Sequence, residues 1–143
     1  MTNKIRFLGA ILSSIFIILA PVTNAISDEM KINVKIKKFN SSELTELLVG
    51  NSYPLGGTSL DNSKGAFYFA SDTELLIRWE GKKGKGKWSA NNKSQFCYTQ
   101  SLWSGEECIT LLENISSGGY IHIFDGKNRV LKPDALRKGN LVD

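Results

Sequence analysis

The sequence predicts a mainly β protein: a small antiparallel β-barrel or strongly curved sheet with one short N-terminal helix and one disulfide. Three observations lead there. Short apolar runs recur at roughly 8–12-residue spacing, separated by turns rich in Gly, Asn, Asp and Ser, which is the rhythm of a small barrel. Several runs, such as Tyr120-Ile121-His122-Ile123-Phe124, are apolar at both parities, which suits a closed or two-layer core better than a sheet with one wet face. A helical pattern occurs once, between Asn40 and Gly50.

Residues 1–25 read as an export signal. Lys4 and Arg6 precede the apolar run Phe7 to Ala20, and Thr23-Asn24-Ala25 offers small residues for cleavage after Ala25. The run is shorter than the roughly 20 residues a membrane span needs, so a retained anchor is the alternative and no span is expected after cleavage. The formal charge of the whole chain is +4. Lys4 and Arg6 leave with the leader, so the remainder is close to balanced and gives no global signal for nucleic acid. The chain beyond the leader, 26–143, is expected to be a single β-rich exported domain, periplasmic or secreted in a bacterium. Two cysteines behind an export signal fit one disulfide in an oxidising compartment.

Ile32, Val34 and Ile36 alternate with Asn33, Lys35 and Lys37, the period of a strand with one buried face. Phe39 to Leu44 then reads as a helix start: Asn40 caps, Glu43 reaches back, and Phe39 staples onto Leu44. Leu44, Leu47 and Leu48 share one face, and Gly50 is the natural stop. A strand is expected around Tyr53-Pro54-Leu55, another over Phe67 to Ala70, and a third over Glu74 to Glu80.

The stretch Gly81 to Cys108 holds both cysteines, Trp88, Trp103 and the densest run of lysines. Laid out as hairpins, it places Trp79 opposite Trp88, Glu80 opposite Lys87 and Ile77 opposite Ala90, with the glycine-lysine run as the connecting loop. Aromatic and opposite-charge cross-strand pairs each contribute roughly 0.2–1 kcal/mol. A turn at Asn91 to Ser94 sets Trp88 opposite Cys97, and a strand from Glu107 lets Cys97 pair with Cys108. Beyond it, Ile109 to Leu112 and Tyr120 to Phe124 form a hairpin, Asp125-Gly126 a turn, and Arg129 to Leu131 a last strand. Loose, turn-rich backbone is expected after Pro133.

Few residues invite chemistry. Gly81 to Lys87 formally spells a phosphate loop, but Trp88 stands where a magnesium-binding hydroxyl belongs and a strand follows. Lys82, Lys83 and Lys85 read either as a solvated hairpin tip that discourages edge pairing or as a cationic finger for anionic envelope components. His122 is the single histidine; with both cysteines oxidised no zinc set forms, and no nucleophile elbow surrounds it. It reads as a strand residue that could line a pocket between Tyr120 and Phe124. Glu106-Glu107 read as loop solvation, Trp79 and Trp88 as core or rim, and Trp103, in a short loop, as the best candidate for an exposed recognition aromatic. No catalytic residue, metal or cofactor is assigned.

Gly50-Asn51 after a short helix, then Gly86-Lys87-Trp88, Phe96-Cys97-Tyr98, Cys108 and Gly139-Asn140 form a sparse set of landmarks from about Leu48 to Asn140. In these the chain resembles small exported alphaproteobacterial proteins of domain-of-unknown-function family 995. Its lysine-rich loop is longer and more basic than the family pattern. The resemblance implies export, a β-rich fold and a Cys97–Cys108 disulfide, and it implies no activity. The expected function is a non-catalytic binding or envelope-associated module, for an anionic envelope component or a small apolar ligand. The alternatives are an inhibitor or interaction module acting through an exposed loop, and an enzyme using His122. A cavity of about 300 Å³ or more favours small-molecule binding; a filled core with a protruding Trp103 favours a protein partner.

Overall fold

In the computed structural model, which describes residues 34–143, a short strand β1 (Ile36–Lys38) leads into the helix α1 (Ser41–Leu48). The export signal read at 1–25 and the first strand's Ile32 lie outside the described residues. The helix starts as its sequence dictates. Asn40 Oδ1 accepts from the Glu43 N–H at 2.9 Å, and Glu43 Oε2 accepts from the Asn40 N–H at 3.0 Å, the reciprocal bonds of a capping box. Phe39, Leu44 and Leu48 are buried in one core. Gly50 then takes φ +78°, left-handed backbone that glycine enters without a Cβ penalty.

The rest is sheet. Strands β2 (Asn51–Leu55), β3 (Gly65–Phe69), β4 (Glu74–Trp79), β5 (Lys82–Asn91), β6 (Gln95–Gln100), β7 (Glu107–Asn114), β8 (Gly119–Phe124) and β9 (Lys127–Leu131) pair in sequence order as an antiparallel meander. β10 (Arg137–Lys138) returns to pair with β2. β6 covers β7 from Glu107 to Thr110, and β1 takes over from Leu112 to Asn114. The sheet curls into a half-barrel whose last strand comes back beside its first hairpin. Just past β9, the Lys132 N–H donates to Thr58 O at 3.0 Å, and Arg129 Nη1 donates to Gly57 O at 3.2 Å.

The two ends of the half-barrel differ. Asn51, Phe69, Glu74, Asn91 and Gln95 lie at the helix end: Val49 bridges to Phe69, and the Ser41 N–H donates to Asn92 Oδ1 at 3.0 Å. There α1 inserts Leu44 and Leu48. The strand register puts Leu55, Gly65, Trp79, Lys82, Gln100, Glu107 and Phe124 at the opposite end. Between them the inner face is filled by Tyr53, Phe67, Phe69, Phe96, Leu75, Ile77 and Leu111. Edge-to-face pairs run through it, Phe67 on Tyr98 at 4.6 Å and Phe69 on Trp88 at 4.7 Å; each adds about 0.5–1.5 kcal/mol beyond its area. Ser94, at φ 63° in the β5–β6 turn, is buried; its hydroxyl accepts from the Phe39 N–H at 2.9 Å and donates to Leu111 O.

Cys97 and Cys108 are directly paired and disulfide-bonded, with Cα atoms 4.0 Å apart. The neighbouring register differs from expectation. β4 and β5 are joined by the two-residue turn Glu80-Gly81, at φ 48° and 82°, the mirror-image geometry that matches strand twist. Trp79 therefore faces Lys82, Ile77 faces Gly84, and Glu74 faces Lys87. The glycine-lysine run is the first half of a long strand, because Gly84 and Gly86 take the inward positions. Trp88 faces Tyr98, and Cys97 faces Ser89, one residue from the expected pairing. Two further expectations change. Val34 and Ile36 are 38 % and 49 % exposed, since β1 adds to an edge of β7 without a layer over it. The segment after Pro133 is tied down by β10, and Val142 is buried.

Candidate binding site

A cavity of about 370 Å³ opens at the end of the half-barrel opposite α1. Its apolar wall consists of Leu55, Trp79, Trp103, Ile109 and Phe124; its polar groups are Tyr98, Glu107, His122 and Arg129. The strand pattern delivers each of these. Alternation on β8 aims His122 and Phe124 inward, and the two-residue turn Asp125-Gly126 then sets Arg129 directly opposite His122. On the other flank, Tyr98 and Glu107 are cross-strand partners on β6 and β7.

Trp103 reaches the cavity through the β6–β7 loop, which folds over the barrel mouth. The Ser101 N–H donates to Lys85 O at 3.0 Å, and the Lys85 N–H donates to Ser101 Oγ at 3.1 Å. Gln100 closes the loop from inside: its side-chain N–H donates to Trp103 O at 2.9 Å, and its side-chain oxygen accepts from the Leu102 N–H. Trp103 then meets Trp79 edge-on, with ring centroids 6.4 Å apart.

His122 is 5 % exposed, and its Nδ1 is hydrogen-bonded to the hydroxyl of fully buried Tyr53. Burial, helped by the positive charge of Arg129, lowers the imidazole pKa to about 4. Burial raises the Tyr53 phenol well above its usual range. The ring is therefore neutral at ordinary pH. The Tyr98 hydroxyl donates to Glu107; burial, and then this bond, likewise raise the phenol. Both tyrosines keep their protons.

The sequence-predicted residues divide. His122 and Trp103 come together in the cavity. Lys82, Lys83 and Lys85 are exposed elsewhere: alternation turns Lys83, Lys85 and Lys87 to the outer face of β5, where Lys83 Nζ lies 4.0 Å from the Asp143 carboxylate. Cys97 and Cys108 pin β6 to β7 beneath the mouth. The Glu106 carboxylate approaches both sulfurs, but a disulfide offers no thiolate to a metal. Sequence reasoning missed Arg129, Tyr53 and Glu107. The first could have been found by extending the alternation of β8 through Asp125-Gly126.

No family model, curated protein or solved structure matches the chain. The Cys97–Cys108 bond fits a non-cytoplasmic compartment, and no helix among the described residues is long and apolar enough to cross a membrane.

Proposed function

We propose that this is a non-catalytic binding protein, exported to the periplasm or beyond, that holds a small, largely apolar ligand in the open end of its half-barrel. The observation that carries the reading is the cavity of about 370 Å³ lined by two tryptophans, Leu55, Ile109 and Phe124. Ligand pockets are of this kind: concave, mostly apolar, roughly 300–1,000 Å³, with a few converging polar groups. The placement of Trp103 supports it over an inhibitory loop, because the ring packs on Trp79 in the cavity wall. The partner of His122 supports it over catalysis, because Nδ1 is held by a buried phenol and not by a carboxylate that would tune a general base. Export after Ala25 and the resemblance to family 995 belong to the same proposal.

The test is the neutral apolar dye N-phenylnaphthylamine. Trp79 and Trp103 line the cavity while Trp88 is buried in the core, so bound dye should quench most of the exposed tryptophan emission and fluoresce itself. Trp103→Ala should weaken that binding several-fold. No saturable signal, or equal binding by the variant, refutes the reading.

A second reading, contact with an anionic envelope surface, is favoured by one observation. Lys83, Lys85 and Lys87 project from the same side of β5, and Arg78 sits opposite Lys83. Such a strip gains roughly 1 kcal/mol per basic residue near an anionic membrane. It lies outside the cavity, so the two roles do not compete.

A further inference from the structure

We propose that the ligand carries a carboxylate, received by the Arg129 guanidinium with the His122 Nε2–H beside it. The inference rests on the cavity being a binding site. It starts from donors left unused. Arg129 gives one N–H to Gly57 O at 3.2 Å, and among the described residues no carboxylate lies within ion-pairing distance of it. A guanidinium has five N–H donors in a planar fork, so its remaining donors are available on the cavity wall. A partly buried charge is costly unless paired, and the fork matches a carboxylate in two parallel bonds.

The acid already in the cavity does not meet this need. Glu107 stands on β7, separated from Arg129 on β9 by the intervening β8, and accepts the Tyr98 hydroxyl. The histidine adds a second donor. The Tyr53 hydroxyl is completely buried, and His122 Nδ1 is its sole partner among the described residues. We assign the phenol as donor to that nitrogen, because the opposite tautomer would leave its own buried proton without a partner. The neutral ring then carries its own hydrogen on Nε2, the nitrogen without a protein partner among the described residues. Because His122 and Arg129 are directly opposed on β8 and β9, their Cβ atoms are about 5 Å apart, close enough for both to reach one small anion. Trp79, Trp103 and Phe124 are left to enclose its apolar body.

Competition for bound N-phenylnaphthylamine tests this with three probes of one shape: naphthylacetate, naphthylethanol and naphthylethylamine. The acid should displace the dye about tenfold or more better than the alcohol, the gain of a charge-assisted pair over a neutral hydrogen bond. The amine should be the weakest of the three. Arg129→Met should abolish the advantage of the acid over the alcohol, and Arg129→Lys should restore part of it. If the wild-type protein prefers the alcohol or the amine, or if Arg129→Met retains the acid preference, the inference falls while the binding-site reading stands. If the dye itself does not bind, both fall. The wild-type comparison needs no variant, so loss of the Gly57 bond in Arg129→Met cannot hide the answer.

Discussion

Acid should destabilise this protein through one imidazole, over a window set by its surroundings. His122 is the chain's single histidine; its pKa is lowered to about 4 in the folded state, first by burial and then by Arg129. In the unfolded chain the same ring titrates near its ordinary value of about 6.5. A depressed folded pKa means that the unfolded state binds the proton first as pH falls. Stability is therefore fully present above about pH 6.5 and drains as pH falls toward about 4. Below that, both states are protonated and the loss stops growing. Between pH 7 and 4.5 the two pKa values give a loss of about 2 kcal/mol, worth roughly 10 °C in melting temperature for a domain of this size.

The assay compares urea unfolding of the disulfide-intact protein and of His122→Gln at several pH values. Groups other than the imidazole add a background common to both proteins, so the difference between the two pH profiles isolates the imidazole. The variant also leaves Tyr53 with an altered partner, at a cost of about 1–3 kcal/mol that does not change across the window. Proton NMR gives an independent reading, since the lone imidazole needs no assignment. Identical pH profiles for the two proteins, or an imidazole that titrates near 6.5 in the folded state, would refute both the burial argument and the Tyr53 bond.

Replacing Cys97 and Cys108 by Ser should cost about 3 kcal/mol, the chain-entropy estimate for so short a closed loop, measured by urea unfolding; denatured, unreduced wild-type protein should show no reactive thiol. Gly84→Ala should cost about 1–3 kcal/mol, because the added methyl would sit 2.8 Å from Leu102 Cγ and Ser101 Oγ; it should also weaken dye binding by displacing the loop that carries Trp103. Substituting Gln for Lys82, Lys83 and Lys85 together should change stability by less than about 1 kcal/mol, as expected for exposed residues. It should abolish any salt-sensitive adhesion to anionic vesicles, and adhesion that survives would remove the outer-strip reading.

What the sequence made visible follows from how local each signal is. The helix was readable because its cap, its staple and its stop lie within residues 39–50 and need no distant partner. Asp125-Gly126 was readable as a turn for the same reason. Glu80-Gly81 adopts the same backbone, at φ 48° and 82°, yet glutamate seldom takes positive φ, and the six residues of glycine and lysine beyond it imitate a loop. Shifting that turn displaced every pair along β4 and β5, while Cys97 opposite Cys108, set by its own local spacing, was unaffected. Val34 and Ile36 had a strand's alternation, but alternation does not say whether a second layer exists. Tyr53 was hidden because its bond to His122 is made across the curl, between β2 and β8, which only closure brings together.

On β5 the outward positions are Lys83, Lys85 and Lys87, and the inward positions are Gly84, Gly86 and then Trp88. Lysine keeps this flank solvated and unattractive to other strands. Glycine leaves room on the inner face for the chain that follows β6. Leu102 occupies the space above Gly84 against Ile77, and the two hydrogen bonds between Ser101 and Lys85 fix the loop there. The next residue, Trp103, meets Trp79 in the cavity wall. Toward the helix end the same strand switches to Trp88, whose indole N–H donates to Ser71 O at 2.9 Å and whose ring closes the core on Phe69. One strand thus closes the core with Trp88 at the helix end, and at the other end its glycine positions make room for the loop that carries Leu102 and Trp103.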